Sequence, residues 1–398
     1  MKRKVDRQND TDENDEKKSR YTTSDALIQL GVSKKSSSSL LESPNMLLLG
    51  HLSSVTSLSF DQSGDLLASG SRDNGIFLWN IKNGCSNDFL LKGHVNAITD
   101  VNWLSNGNDT QSTKIISSSA DKTLSVWDAE TGLRIQLLKN ASSKVINAIS
   151  PIKNRINEFA SVGDDGLLKI WDIRSKRVSL SLEVTHPSFP LLSVSSALNS
   201  FDLFVAGTEG IIRSIDMRKQ SLTEGVLSLS VASSVVPEIR TRTTMTKNNN
   251  ESMSPLLFQK LSTITSVSVS SDSTKLLSFA TDGTLRSWDI KPFCSGGETR
   301  RQVAIYEGSI NNFELLPLKT SWWNSHDTTS SEDLVSCGSA DGIVRIWNAE
   351  TAKIEAAFGG HIGPVLSVSF HPKEKLIASS GFDKQIFLSD INNGLIVE

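Results

Sequence analysis

Residues 50–80 read GHLSSVTSLSFDQSGDLLASGSRDNGIFLWN. Apolar and small polar residues alternate in short segments of this stretch, which is typical of half-buried strands. Asn74-Gly75 predicts a tight hairpin turn, because both residues tolerate a positive φ. The segments, with one more that follows the stretch, are 55–60, 66–71, 76–79 and 89–91. Four short antiparallel strands without helical periodicity form one blade of a β-propeller.

One element of this stretch recurs along the chain: an acidic residue followed six positions later by tryptophan or a substitute for it. The seven pairs are Asp73 and Trp79, Asp121 and Trp127, Asp165 and Trp171, Glu209 and Ile215, Asp282 and Trp288, Asp341 and Trp347, and Asp383 and Ser389. The spacing within a pair is constant, whereas the distance between pairs varies, which indicates a repeat with variable loops. The sequence therefore predicts an all-β, seven-bladed propeller.

Glycine followed by histidine precedes three of these acids, and the histidines are His51, His94 and His361. The turn carboxylate is expected to accept hydrogen bonds from backbone N–H groups and from the histidine. The indole N–H is expected to reach a serine, Ser69 or Ser71 in the first unit. A buried polar chain of this kind is stable only when every member is bonded. Recurrence once per blade indicates a structural role, so we predict no catalytic or metal-binding role for these residues.

The units differ in how well they keep the pattern. Unit three has Asn140-Ala141 in the place of Gly-His, and unit six has Glu307-Gly308. The other three histidines, His186, His326 and His371, are expected in loops without a role. Unit seven shows only three strand segments, and residues 46–49 are predicted to supply its fourth strand, which would close the ring and cover a sheet edge.

Composition excludes several classes of protein. The formal net charge of −3 provides no overall field for nucleic acid or an anionic membrane. The three cysteines, at irregular spacing, indicate neither a disulfide framework nor a zinc site. The sequence has no signal peptide and no apolar run long enough to span a membrane, so a soluble intracellular protein is expected. It also has no phosphate loop, nucleophile elbow or metal-binding helix motif, so we predict no enzyme activity and no cofactor.

Residues 1–43 differ from the rest, and we predict a disordered polar tail there and a propeller over 44–398. Two basic clusters in the tail have the spacing of a two-part nuclear import signal, and a plain solubilising tail is the alternative. Their residues are Arg3, Lys4, Lys17, Lys18 and Arg20. A second polar stretch, about 220–255, is expected to be a mobile insertion, with an outer strand of unit four at 226–231.

With these repeats, the chain resembles the WD-repeat family over roughly residues 46–391. Further stretches resemble the branch of that family found in the spliceosomal U5 small nuclear ribonucleoprotein. The stretches are Met46-Leu-Leu-Leu-Gly-His51, Trp171-Asp-Ile-Arg-Ser-Lys176, Trp288-Asp-Ile-Lys-Pro-Phe293, Tyr306-Glu-Gly308 and Asn311-Asn-Phe-Glu314. The longer gap after unit four and the missing tryptophan of that unit depart from this branch.

The resemblance implies a nuclear scaffold in pre-mRNA splicing that binds the large U5 core protein and other spliceosomal proteins. RNA contact would be indirect or minor, with no membrane contact and a monomeric propeller. A second function stays open, namely a substrate receptor of a cullin-type ubiquitin ligase. Trp171-Asp172-Ile173-Arg174 matches the Trp-Asp-x-Arg ending of such receptors, and Ile215-Asp-Met-Arg218 is a weaker copy.

Three residues beside the turn acids are candidates for partner binding: Arg72, Lys122 and Phe382. Rigid or amphipathic side chains of this kind often anchor interfaces. Phe382 precedes its turn acid at a position where two other units have alanine, Ala120 and Ala340, and where the blade core needs no aromatic ring. The alternative is that Phe382 packs under the neighbouring blade.

Overall fold

A computed structural model describes residues 27–29, 45–104, 114–153, 155–175, 177–198, 202–218, 221–222, 228–230, 262–291, 301–311, 316–324 and 333–393. The described residues form an all-strand protein with seven antiparallel sheets, which confirms the predicted seven-bladed propeller. Every sheet places the first strand of its unit innermost. The innermost strands of successive blades contact one another around the whole ring, including the last with the first.

Strands are numbered in chain order. The N-terminal strands are β1 Leu27–Gln29 and β2 Asn45–Leu48. Blade one comprises β3 Val55–Phe60, β4 Leu66–Ser71, β5 Gly75–Asn80 and β6 Ser86–Lys92. Blade two comprises β7 Ile98–Leu104, β8 Lys114–Ser119, β9 Leu124–Asp128 and β10 Arg134–Leu138. Blade three comprises β11 Ile146–Pro151, β12 Glu158–Gly163, β13 Leu167–Asp172 and β14 Arg177–Glu183.

Blade four comprises β15 Leu191–Ser196, β16 Asp202–Gly207, β17 Ile211–Asp216, β18 Ser221–Leu222 and β19 Ser228–Ser230. Blade five comprises β20 Ile264–Val269, β21 Lys275–Ala280, β22 Leu285–Asp289 and β23 Gln302–Tyr306. Blade six comprises β24 Thr320–Trp323, β25 Leu334–Cys337, β26 Val344–Asn348 and β27 Ile354–Phe358. Blade seven comprises β28 Val365–Phe370, β29 Leu376–Gly381 and β30 Ile386–Asp390, followed by a 3-10 helix, Ile391–Asn393.

The ring closes through β2, which pairs with β30 as the fourth strand of blade seven. In this register Asn45 lies opposite Ser389, and Leu48 lies opposite Ile386. The predicted closing strand is thereby confirmed, one residue earlier than expected. Met46, Leu47 and Leu48 are buried there, so the strand contributes apolar contacts as well as backbone hydrogen bonds.

Three short strands, β1, β18 and β19, lie within segments predicted to be irregular. Strand β18 pairs with β17 at the start of the insertion. Strand β1 pairs with β2 as a fifth strand of blade seven, and its residues 27–29 lie within the segment 1–43 for which a disordered tail is predicted. Three residues do not show the apolar alternation by which strands were recognised. Strand β19 pairs with β17, which confirms the outer strand expected within 226–231. The remaining residues of the tail and of the insertion, including all five import-signal candidates, lie outside the described residues.

The hydrophobic core lies between neighbouring sheets. One cluster joins Leu78 of blade one to Val101 and Trp127 of blade two, and the other blade pairs repeat this arrangement. Irregular register near the start of the innermost strands turns a side chain toward the next blade. The hydroxyl group of Thr56 thus donates to the carbonyl oxygen of Ile98 at 2.7 Å. Such bonds tie the blades together around the central channel.

Candidate functional site

Blade two shows most completely what the recurring histidine, acid and tryptophan do. His94 Nδ1 lies 3.1 Å from a carboxylate oxygen of Asp121, and its Nε2 lies 2.8 Å from the hydroxyl of Ser117. The indole of Trp127 donates to the same hydroxyl at 2.8 Å. The backbone N–H of Val95 donates to the Asp121 carboxylate at 2.9 Å. The chain of bonds fixes the loop before the blade to the turn within it.

Blade one repeats this network, and Ser69, one of the two predicted serines, is the acceptor. In blade seven His361 contacts Asp383 and Ser379, while Ser389 occupies the tryptophan position. Blades three and five keep the bond from tryptophan to serine, with donor–acceptor distances of 2.8 Å. In blade six the indole of Trp347 instead donates to the carbonyl oxygen of Glu307 at 3.1 Å.

The electrostatics of these networks are those of a structural element. Burial would raise the pKa of Asp73, but hydrogen bonds from His51 and from the backbone N–H groups of Leu52 and Gly75 outweigh it and lower the pKa to about 2. Burial lowers the pKa of His94, although the neighbouring Asp121 carboxylate acts in the opposite direction. The lowered pKa favours the neutral imidazole. Both ring nitrogens of His94 have partners within the blade, so neither is available for a metal ion or for proton transfer.

The blades without histidine at this position supply a cation to the turn acid instead. It is the fourth residue after the acid, on the strand that follows the turn. The pairs are Lys169 with Asp165, Arg213 with Glu209, Arg286 with Asp282, and Arg345 with Asp341. In the histidine blades the corresponding residues are Phe77, Ser125 and Phe387. Each turn acid thus has either a histidine from the loop or a lysine or arginine from its own strand.

Two expectations about individual residues were wrong. In blade three Ser142, one residue beyond the predicted Asn140-Ala141, bonds to Asp165 at 2.7 Å. His371 is buried, and its Nε2 lies 3.1 Å from the carbonyl oxygen of Gly64, which joins blade seven to blade one. The sequence signal for His371 was its position directly after Phe370, where strand β28 ends against its neighbour.

The two arginines of the Trp-Asp-x-Arg endings have a local explanation. Arg174 donates through Nε and a terminal nitrogen to the carboxylate of Asp172, both at 3.2 Å. Arg218 bonds to Asp216 in the same way. Each arginine closes the turn after its own strand. The motif therefore needs no ligase adaptor to explain it.

The partner-binding candidates lie on the face of the ring that carries the turn acids. Arg72 and Phe382 belong to neighbouring blades, and the guanidinium carbon of Arg72 lies 6.0 Å from the centre of the Phe382 ring, a cation–π contact. Phe382 is about half exposed, so it is not packed beneath a blade. Lys122 lies on blade two, is exposed, and has a positive φ of 67°. The structure brings together Arg72 and Phe382, and places Lys122 one blade away.

The central channel, about 440 Å³ in volume, contains a charged cluster that the sequence did not reveal. Lys319, just before the innermost strand of blade six, forms an ion pair with Asp100 of blade two. Asp100 also accepts hydrogen bonds from Ser57 of blade one and from the backbone N–H of Ile149 of blade three. One carboxylate therefore connects four blades. The partners are too distant in sequence to form a motif.

We expect Lys319→Met to lower the free energy of unfolding by about 2 kcal/mol, because it leaves the Asp100 carboxylate without its cation. Removing one partner of a fully buried pair costs about 3–5 kcal/mol, and partial exposure of Lys319 reduces that figure. The double variant Lys319→Met/Asp100→Asn should cost less than the two single changes together. Denaturant titration measures these values.

Lys153 provides the matched control for that experiment. It also lines the channel, and among the residues the structure describes it forms no ion pair. Lys153→Met should not lower the free energy of unfolding, because burial lowers the pKa of the Lys153 amine and thus already disfavours its charge. An equal loss from Lys153→Met and Lys319→Met would contradict a specific role for the pair.

Within the described ranges, no cluster of three or more His, Cys, Asp or Glu side chains could hold a metal ion. No helix in the same part of the chain is long and apolar enough to cross a membrane. Burial raises the pKa of the Cys337 thiol to about 12, so this thiol is not an activated nucleophile.

Comparison with known proteins adds to this geometry. The family model described as WD domain, G-beta repeat matches residues 42–80, 85–128, 257–289 and 352–390. The chain is 31% identical over 352 residues to the pre-mRNA-splicing factor cwf17 of Schizosaccharomyces pombe, covering 88% of this chain and 89% of that protein. It is 32% identical to the U5 small nuclear ribonucleoprotein 40 kDa protein of Dictyostelium discoideum, covering 89% and 86%. The human protein of that name is also 32% identical, covering 93% and 89%.

Proposed function

The chain belongs to the WD-repeat family, together with cwf17 and the U5 40 kDa proteins, and we propose that it is a scaffold of the U5 small nuclear ribonucleoprotein. It binds other spliceosomal proteins during pre-mRNA splicing and catalyses no reaction itself. The observation that carries this proposal is similarity over about nine tenths of both chains to proteins named for splicing. The matched region therefore extends over most of the propeller and is not limited to single repeats.

The geometry supports a binding role in preference to a catalytic one. The recurring histidines, acids and tryptophans are bonded to one another within each blade. The closed ring holds the turns of one face in fixed positions, and rigid groups lose little entropy on binding. Exposed Phe382 and its neighbour Arg72 are side chains of the kind that anchor protein interfaces.

The partner we propose is the large core protein of the U5 particle, and we place the contact at Arg72, Lys122 and Phe382. Any RNA contact is indirect or minor, since the net charge of −3 gives no general attraction to phosphate. The propeller acts as a monomer within the particle. Its place of action is the nucleus.

Pull-down of tagged protein from nuclear extract, with mass spectrometry, tests this function. The wild type should recover U5 core proteins, and Phe382→Ala/Arg72→Glu should release the large core protein while its melting curve stays nearly unchanged. A matched control, Lys82→Glu/Leu133→Ala, changes exposed residues in turns on the opposite face. Recovery of a cullin and its adaptor, in place of U5 proteins, would contradict the splicing role and favour the ligase receptor.

Nuclear import gives a separate prediction. Changing Lys17, Lys18 and Arg20 to alanine in a fluorescent fusion should shift the protein toward the cytoplasm, because it removes the larger basic cluster of the proposed signal. Fluorescence microscopy measures the ratio of nuclear to cytoplasmic signal. Changing the acidic residues Asp12, Glu13 and Asp15 to alanine is the control and should leave the ratio unchanged. A nuclear signal that persists in the basic-cluster variant would contradict this import signal.

A further inference from the structure

Three of the most exposed apolar side chains of the described residues occupy one repeated position. Leu52, Val95 and Ile362 each follow a network histidine, and they are 80%, 85% and 88% exposed. They lead into blades one, two and seven, which are neighbours in the closed ring. High exposure of three aliphatic side chains at one repeated position on neighbouring blades indicates a contact surface.

These three positions are fixed by the polar networks beneath them. The backbone N–H of Leu52 donates to Asp73 at 2.8 Å, and the backbone N–H of Ile362 donates to Asp383 at 3.1 Å. Val95 is held in the same way by Asp121. The aliphatic groups therefore stand on a rigid base, and binding would cost little ordering of the backbone.

The fold itself does not require apolar residues there. In each blade the backbone N–H of the residue before the turn acid donates to a carbonyl oxygen in the preceding loop. Leu52, Val95 and Ile362 each lie two residues before the residue that supplies this carbonyl oxygen. The equivalent residues of blades three, four and six are Ser143, Ser188 and Gly308. That of blade five lies outside the described residues. Blades therefore form with small or polar residues at this position.

Basic residues are interleaved with the aliphatic ones. Arg72, Lys122 and Lys384 are exposed, and among the described residues none has a carboxylate within ion-pair distance. Lys122 and Lys384 adopt φ angles of 67° and 70° in the turn. A positive φ is unfavourable for residues other than glycine, and blades three to six have glycine at this position of the turn. The glycines are Gly166, Gly210, Gly283 and Gly342.

We propose that this surface, the 7-1-2 arc formed by Leu52, Arg72, Val95, Lys122, Ile362, Phe382 and Lys384, binds a short acidic and aliphatic segment of a spliceosomal protein. The inference rests on the proposed function and assigns its partner chemistry. Carboxylates of the segment pair with the three cations, of which Arg72 is held by the Phe382 ring and can bind a carboxylate through two N–H groups. Aliphatic side chains of the segment cover Leu52, Val95 and Ile362.

The apolar members of the arc distinguish a protein segment from RNA. Single-stranded RNA binds to basic grooves with aromatic rings on which bases stack. Here the most exposed groups are aliphatic, and Phe382 is the one aromatic ring among the seven residues of the arc. A protein segment supplies both the aliphatic contacts and separately placed carboxylates.

The direct test uses a fluorescent peptide in which glutamate and leucine alternate, with binding measured by anisotropy. The wild type should bind it, and Lys122→Glu/Lys384→Glu should weaken binding about tenfold, since two exposed charge contacts reverse sign. Leu52→Ser/Val95→Ser/Ile362→Ser should weaken it by a similar factor. Lys82→Glu/Leu133→Ser, which alters exposed residues of the opposite face, should bind as the wild type does.

Several outcomes would overturn the proposal. Absence of binding to the wild type would do so, as would equal binding by all variants. Tighter binding of a uridine-rich oligonucleotide than of the peptide would assign the arc to RNA. Retained affinity in the triple serine variant would reduce the interaction to non-specific charge. A tenfold gain on deletion of residues 1–26, which include Asp10, Asp12, Glu13, Asp15 and Glu16, would show that the chain's own tail fills the arc.

Pull-down with the same variants separates this inference from the proposed function. If the wild type and both arc variants recover U5 proteins equally, the function stands and the arc is not the docking surface. If the wild type recovers no U5 proteins yet binds the peptide, the splicing role is wrong, and the arc binds an acidic and aliphatic segment of a different partner. If the wild type recovers U5 proteins and the two arc variants do not, while all melting curves stay unchanged, the result supports both the proposed function and the inference about the arc.

Discussion

Deletion of residues 1–52 is expected to unfold the propeller, whereas deletion of residues 1–43 is expected to leave it folded. The longer deletion removes β2, whose Met46, Leu47 and Leu48 are buried, and exposes the edge of β30. Loss of such side chains costs about 2–5 kcal/mol each, and a typical protein is stable by only about 5–15 kcal/mol. The deletion also removes His51 and with it the network of blade one.

Circular dichroism and thermal melting of three purified proteins measure the effect. Deletion of residues 1–26 keeps β1, deletion of 1–43 removes β1 but keeps β2, and deletion of 1–52 removes both. The first two should retain a cooperative transition, with a slightly lower midpoint for the second because β1 covers β2. A cooperative transition at the wild-type temperature after deletion of 1–52 would contradict closure through β2.

The sequence predicted this closure because unit seven shows only three strand segments and a separate apolar segment stands before unit one. The prediction follows without any known contact between residues, because the edge strand of the last blade has unpaired N–H and C=O groups and the segment before unit one is a strand without a partner. The network in the blades with Gly-His was predicted for a similar reason. Its acid recurs six residues before the tryptophan position, and a Gly-His pair precedes it in the chain, as for Asp73 and His51.

The networks of the other blades were not predicted, although a signal was present. The acid in a tight turn needs a donor, and this donor can come from the preceding loop or from the strand that follows. The prediction was restricted to a donor from the loop, where Asn140-Ala141 and Glu307-Gly308 replace Gly-His in units three and six. Lysine or arginine four residues after the acid, as at Lys169 and Arg345, was the available signal.

Contacts between distant parts of the chain had no signal of this kind. Lys319 and Asp100 meet because their blades face each other across the channel. Arg72 and Phe382 meet because the ring brings blade seven against blade one. The sequence named Arg72 and Phe382 separately, from their positions beside the turn acids, and only closure of the ring makes them neighbours.

Replacement of Trp127 by alanine is expected to lower the free energy of unfolding by about 3–5 kcal/mol, the range for a large aromatic residue in a packed site. The indole is almost completely buried between blades one and two, and its N–H is bonded to Ser117. The guanidinium carbon of Arg134 also lies 5.7 Å from the ring centre. The change therefore leaves a cavity and also removes the hydrogen-bond donor to Ser117. Denaturant titration measures the combined loss in the free energy of unfolding.

Two companion variants separate these contributions. Trp127→Phe keeps most of the apolar contact and loses the N–H, so it should cost less than Trp127→Ala. Asp121→Ala leaves the backbone N–H groups of Val95 and Thr123 without their acceptor, and should cost about 1–3 kcal/mol. A Trp127→Ala protein as stable as the wild type would contradict the structural role of the network. A folded Asp121→Ala protein that had lost a measurable turnover would instead assign catalysis to this acid, because a residue that only holds a turn cannot change chemistry without changing stability.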